Sequence, residues 1–329
     1  MKHNLKITLF LVVLFLCSQL MGLVIINQYV DIEQSSSEGH TKVKESAFEY
    51  TGQRPPDLTA QEEKYVWVYI SAAILLGTIM VLAIIKFKIL KLWMAWFILS
   101  IIICLYFALA QFIAKLLRFI GINPGFRIIN PEIVGFPVTI LSVFTLIVVS
   151  ALAYMKVIKK NVVIHNITEI FIYGGLAALI ISVGIHITAA LALLVIISLY
   201  DMIAVWKTKH MVTMAKYQTE NKLFAGLMMP YNQKTGKISF KTQTTKKISK
   251  SSGTLKNAIL GGGDVAFPLI FAGTVMKAYA SFLYPVIIVI TTTIALFLLL
   301  TYGKKNRYYP AMPFISGGSL AGYAIVLLI

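Results

Sequence analysis

The chain has 329 residues, 58% of them hydrophobic, and only 13% carry a charge. A soluble domain draws about a quarter of its residues from the charged types, so a water-soluble globular fold is excluded. The net charge of +17 would suit a nucleic-acid binder, but the Lys and Arg stand in short clusters between apolar runs, as topology determinants do in membrane proteins.

Apolar runs of about twenty residues recur along the whole length, the signature of membrane-spanning helices. In chain order they fall near 7–26, 65–85, 92–113, 133–155, 167–184, 186–206, 258–277, 282–302 and 310–329. The class is therefore an all-α polytopic membrane protein with nine transmembrane helices. The first run reads as a retained span. It has a basic start at Lys2 and Lys6, yet it exceeds a signal-peptide h-region, and Asn27, Gln28 and Tyr29 follow it instead of a small-residue cleavage site.

Residues 27–64 hold eight of the thirteen acids and a Pro55-Pro56 pair, and read as an irregular polar loop. The stretch from 167 to 206 must turn back near Gly184, Ile185 and His186, since one helix there would be about 60 Å long, twice the hydrocarbon thickness. Residues 207–257 hold eleven Lys and one acid, Glu220. They read as a solvated basic linker near anionic headgroups, interrupted by an apolar patch at 223–230 (LFAGLMMP). The chain so divides into a six-span part (1–206), a basic loop (207–257) and a three-span part (258–329).

On alternate sides of these spans, 22 of the 30 Lys and Arg fall on the side of the N-terminus. The positive-inside rule then places the N-terminus in the cytoplasm and the C-terminus outside the cell membrane. Lys115, Arg118 and Arg127 are mild violations. Cys17 and Cys104 lie in separate apolar runs, and the five His are scattered. Neither a disulfide framework nor a metal site is expected, and no cofactor.

Outside the acidic loop only Glu132, Glu169, Asp201, Glu220 and Asp264 remain. Glu132 and Glu220 belong to loops. Glu169, three residues after Asn166, matches a capping box at a helix start and reads as structural, with a modulating carboxylate near the site as the alternative. Asp201 and Asp264 stand inside spans, where an acid costs roughly 2.5–3.5 kcal/mol on insertion scales. Each is six or seven residues from the inner end of its span, so antiparallel neighbours bring both to one level, about 9 Å below the inner surface. Two carboxylates facing each other at low dielectric share a proton and titrate as a unit, the state that aspartyl hydrolysis of a peptide bond needs. Gly261, Gly262 and Gly263 let the backbone open and admit a second chain. Pro268 withdraws the hydrogen bond that the Asp264 carbonyl would accept, and interrupted helices suit a water-filled cavity.

At these residues the chain resembles the presenilin and signal-peptide-peptidase family of GxGD intramembrane aspartyl proteases. Tyr200-Asp201 matches its YD motif, Gly261-Gly262-Gly263-Asp264 its GxGD motif, and Pro310-Ala311-Met312-Pro313 its PALP motif with Met for Leu. The order and the spans (six, seven and nine) are the family's, and the presenilin branch, in its compact archaeal-type form, is the nearer. The resemblance implies a presenilin-like fold and Asp201 and Asp264 as the catalytic pair. It implies that Tyr200, the three glycines and residues 310–313 shape the site, and that the substrates are single transmembrane helices of other proteins, met in the lipid with their N-terminus outside. Nucleic acid is not an expected partner, and a homo-oligomer is left open. A proton- or cation-coupled transporter is the rival from another class, since intramembrane acids also relay protons. A prepilin-type peptidase lacks the PALP-like turn, and a rhomboid-type serine protease needs a GxSx motif that Gly318-Ser319 does not supply.

Overall fold

The computed structural model describes residues 5–31, 42–43, 60–87, 89–129, 138–159, 161–208, 214, 217–218, 224–232, 255–303 and 309–329. Most of the two polar loops, with Glu132, Glu220 and the inner cluster Lys304, Lys305 and Arg307, lies outside them. Among the described residues there are nine α-helices: α1 (Leu5–Ile26), α2 (Ala60–Phe87), α3 (Leu90–Phe119), α4 (Ile140–Val157), α5 (Val162–Ser182), α6 (Ile187–Met202), α7 (Gly262–Tyr279), α8 (Leu283–Tyr302) and α9 (Met312–Leu328). Six short strands accompany them: β1 (Val30–Asp31), β2 (Lys42–Val43), β3 (Arg127–Ile129), β4 (Val138–Thr139), β5 (Gly226–Asn232) and β6 (Leu255–Gly261). Seven are long and apolar enough to cross a membrane by length and composition. The other two are α7, whose Asp264, Pro268 and Lys277 dilute its apolar run, and α9, which at 17 residues still reaches about 25 Å.

A helix lies in each expected span, but the fourth, expected from 133, starts as helix only at Ile140, because Val138–Thr139 is a strand paired with Arg127–Ile129; other ends also have local causes. The turn between α5 and α6 falls at Gly184, whose φ of 94° is a conformation that costs glycine little. The His186 side chain then accepts from the Thr188 N–H and caps α6. Thr139 and Ser142 form a reciprocal capping box at the start of α4.

Buried residues run almost unbroken from Val265 to Lys277 in α7. A helix apolar on all sides belongs at the centre of a bundle, and α7 packs against α1, α5, α6, α8 and α9. Small residues permit the closest crossings, as expected where helices associate by packing in lipid. A Cβ on Gly175 of α5 would stand 1.9 Å from the Cys104 carbonyl oxygen of α3, and one on Gly318 of α9 would meet α8 at 2.6 Å.

The sequence reading needs two further corrections. The seventh span was expected to begin at 258, but Leu255–Gly261 is a strand, β6, paired antiparallel with β5 (Gly226–Asn232) in register Met228↔Ile259 and Gly226↔Gly261. Ala258 and Leu260 are buried while Ile259 is exposed, an alternation of period two. Much of the apolar patch 223–230 is therefore used as strand. The second correction concerns α5. It begins one and a half turns earlier than expected because the Asn161 side chain accepts from Val163 N and Ile164 N and caps it there. Asn166 and Glu169 are thus interior helical residues and form no capping box.

Candidate active site

Asp201 lies in the last turn of α6, 3% exposed. Beyond it the helix widens into a π-turn, Ile203–Lys207, a distortion frequent at functional sites. Its Oδ2 accepts a hydrogen bond of 3.1 Å from the Met312 N–H, 111 residues away, and the Ala311 backbone is also directed at the carboxylate. Met312 opens α9, with Pro313 second in the helix, so the PAMP segment presents unpaired N-terminal amides to this acid. One turn before Asp201, Ser198 Oγ donates to Ser316 Oγ of α9 at 2.8 Å and fixes the two helices together.

Asp264 lies in the first turn of α7, whose N-cap is Gly261, and is half-buried. An acid there faces the partial positive charge of its own helix terminus. Both carboxylates are therefore met by helix N-termini, Asp264 by that of α7 and Asp201 by that of α9. The helices α6, α7 and α9 pack on one another, and the Met312–Asp201 bond joins two of the three motif segments directly. From α1, Gln19 Nε2 donates to the Val265 carbonyl at 2.7 Å, tying the residue after Asp264 to a neighbour.

The Tyr200 hydroxyl stands 3.0 Å from Thr78 Oγ1 of α2, a contact that links α6 to that helix.

The glycines join β6 to α7. Gly261 ends the strand, and the Gly262 N–H donates to the Ala225 carbonyl at 3.3 Å, closing the hairpin beside the acid. The outer side of β5 is already occupied. Asn166 Nδ2 donates to the Met228 carbonyl at 2.8 Å, and the Met228 N–H donates to Asn166 Oδ1 at 2.9 Å. His165 Nε2 meets the Gly226 carbonyl at 2.9 Å. Because both backbone groups of Met228 point away from β6, its partner Ile259 points both of its own away from β5. The same parity applies to Asn257 and Gly261. Pro230 fits this register, since it stands where an N–H would point out of the ladder. Among the described residues the sheet has two strands, and the outer edge of β6 presents backbone groups leading to Asp264.

Sequence reasoning missed Lys156, His165, Asn166, Tyr173 and Gln19. Lys156 follows the fourth apolar run beside Lys159 and Lys160 and reads from sequence as part of a loop cluster, yet it is 4% exposed and its Nζ donates to Glu169 Oε1. A charge inside an apolar run was the available signal for it. Tyr173 carried none, because a Tyr in an apolar helix reads as packing.

A family model described as signal-peptide peptidase, presenilin aspartyl protease matches residues 45–329. No curated protein matches the chain. Among solved structures it is similar to a presenilin family intramembrane aspartate protease in a C222 crystal form, with a TM-score of 0.58 and 15% identity over 98% of this chain and 99% of that one. The P2 form of such a protease gives 0.56 and 16% identity over 98% of each chain. At such identities the likeness shows the fold.

Proposed function

The chain belongs to the signal-peptide peptidase and presenilin family of aspartyl proteases, and from that premise we propose that Asp201 and Asp264 hydrolyse peptide bonds within transmembrane helices. The observation that supports this reading is the bond from the first residue of α9 to the Asp201 carboxylate, on helices that both pack against α7, the bearer of Asp264. In the reaction one carboxylate is ionised and takes a proton from water as that water attacks the scissile carbonyl. The other, protonated, gives its proton to the carbonyl oxygen, forming a gem-diol; as this collapses, the first carboxyl passes the proton taken from water to the leaving amine and the second recovers one from a gem-diol hydroxyl. Water adds across the peptide bond, and no covalent enzyme intermediate forms. The helix N-termini that meet both acids favour the charge that builds at the centre.

A helical substrate hides its peptide bonds and must open before attack. We read the outer edge of β6 as the place where the opened segment pairs, by strand addition. The backbone groups of Asn257, Ile259 and Gly261 supply the bonds, and the strand ends beside Asp264. Residues 310–313 shape the other side of the site through Asp201.

The test is cleavage of a reporter transmembrane helix by purified protein in liposomes. Asp201→Ala and Asp264→Ala are each expected to abolish cleavage, and a transition-state isostere to inhibit the wild type. Proteolysis that persists in either variant would remove that residue from the chemistry.

A further inference from the structure

The hydrolysis proposed above leaves a group of buried polar side chains on α4 and α5 without a role. Lys156, His165, Asn166, Glu169 and Tyr173 are each at most 7% exposed. Charged groups at membrane depth are costly and tend to be functional. Glu169 stands at the centre of this group. Its Oε1 accepts from Lys156 Nζ, and its Oε2 accepts the Tyr173 hydroxyl. His165 Nε2 lies 3.9 Å from the same Oε1 while meeting the Gly226 carbonyl of β5.

The far end of this chain of contacts reaches the active-site turn. A Cβ placed on Gly262 would stand 3.0 Å from the Tyr173 hydroxyl oxygen and 3.1 Å from Tyr173 Cε1. The phenol thus fills the space that a side chain at Gly262 would take, two residues before Asp264. With both oxygens of Glu169 engaged, the Tyr173 ring is held at one angle against the start of α7. One face of α5 in this way fixes β5 through His165 and Asn166, and the first turn of α7 through Tyr173.

We propose that Glu169 is a positioning residue for the cleavage reaction: anchored by Lys156, it holds Tyr173 against Gly262 and so sets the backbone from which Asp264 projects. This rests on the reading of Asp264 as catalytic. A purely structural ion pair would lower stability and leave turnover per folded molecule unchanged. A positioning role lowers kcat and leaves KM, which reports docking at the strand edge, nearly as it was.

The test uses the full chain in liposomes with Tyr173→Phe, which keeps the ring and removes the hydroxyl, and Glu169→Gln, which keeps the shape and removes the charge. Hydrogen exchange of amides 262–265 is measured alongside cleavage. Both variants are expected to lose kcat between about tenfold and a hundredfold, the scale of a misplacement near 1 Å, with KM within about twofold of wild type and faster exchange at 262–265. Should Glu169→Gln fail to fold, the near-isosteric Tyr173→Phe decides alone. Wild-type kcat with unchanged exchange in Tyr173→Phe overturns the proposal. Failure of the catalytic reading is recognised separately, as undiminished cleavage by Asp264→Ala, and the exchange measurement needs no cleavage to show whether Tyr173 holds the turn.

Discussion

The three glycines ahead of Asp264 meet three different environments, and the differences make each substitution informative. A Cβ on Gly261 would approach Asp264 Oδ2 at 3.1 Å, and one on Gly262 would press on the anchored Tyr173 at 3.0 Å. A Cβ on Gly263 finds only Phe267, at an ordinary 3.5 Å. Gly262→Ala is therefore expected to lower kcat/KM of reporter cleavage by about tenfold, of the order that overpacking against a fixed neighbour costs. Gly263→Ala should cleave within about threefold of wild type, less than the smallest overpacking cost. Gly263 is exposed beside the acid, so Gly263→Trp should suppress cleavage by occupying the site while expression stays intact. If Gly263→Trp cleaves normally, this face of the turn does not admit substrate. At this scale the sequence spoke clearly only where a carboxylate interrupted an apolar run. Asp201 and Asp264 were legible because acids there are rare. Glu169 was equally buried, but the Asn166-x-x-Glu169 spacing imitated a cap, and the competing cap at Asn161 decided where α5 starts.

Helices were the most legible elements, because in lipid a backbone must satisfy its own hydrogen bonds within the segment and length alone then reveals the span. The β5–β6 hairpin was not legible. Its strands pair across a gap of more than twenty residues, and four apolar residues in a row read equally well as the beginning of a helix. In the proposed function the hairpin receives the substrate, and its register allows a clean test of strand addition. Ile259 faces Met228 across the ladder but exchanges no backbone bonds with it, so Ile259→Pro removes an outward N–H and leaves the β5–β6 bonds in place, as Pro230 already does on the other strand. Ala258→Pro, by contrast, removes a bond within the ladder. Ile259→Pro is expected to fold and to raise KM by about threefold to tenfold, the worth of one hydrogen bond. Ala258→Pro should lose stability in thermal unfolding. An unchanged KM in folded Ile259→Pro would show that substrate does not pair with this edge.

At the scale of the whole molecule, polar placement and strand direction together bear on the proposed direction of a substrate. Of the 30 Lys and Arg, 22 were assigned to the cytoplasmic side. Lys156 proves to be a buried partner of Glu169, and leaving it out still gives 21 of 29, so the inference of an inward N-terminus does not depend on it. In that orientation Asp201, Asp264 and Glu169 all lie toward the cytoplasmic ends of their helices, and β6 runs from the cytoplasmic loop into the membrane as it approaches α7. A chain added antiparallel to β6 must run the other way, from the membrane toward the cytoplasm. That is the direction of a transmembrane helix whose N-terminus is outside. A reversed helix would have to pair parallel, with slanted and slightly weaker bonds and with its scissile carbonyl offered to the two acids from the opposite side. The expected outcome is therefore a directional preference. Two reporters carrying the same transmembrane sequence, inserted in opposite orientations beside protein of uniform orientation, should differ in initial cleavage rate by at least about tenfold in favour of the one with its N-terminus outside, equivalent to about 1.4 kcal/mol at the barrier. Equal rates would mean that substrate reaches the acids without antiparallel pairing, and the open edge of β6 would then need another occupant.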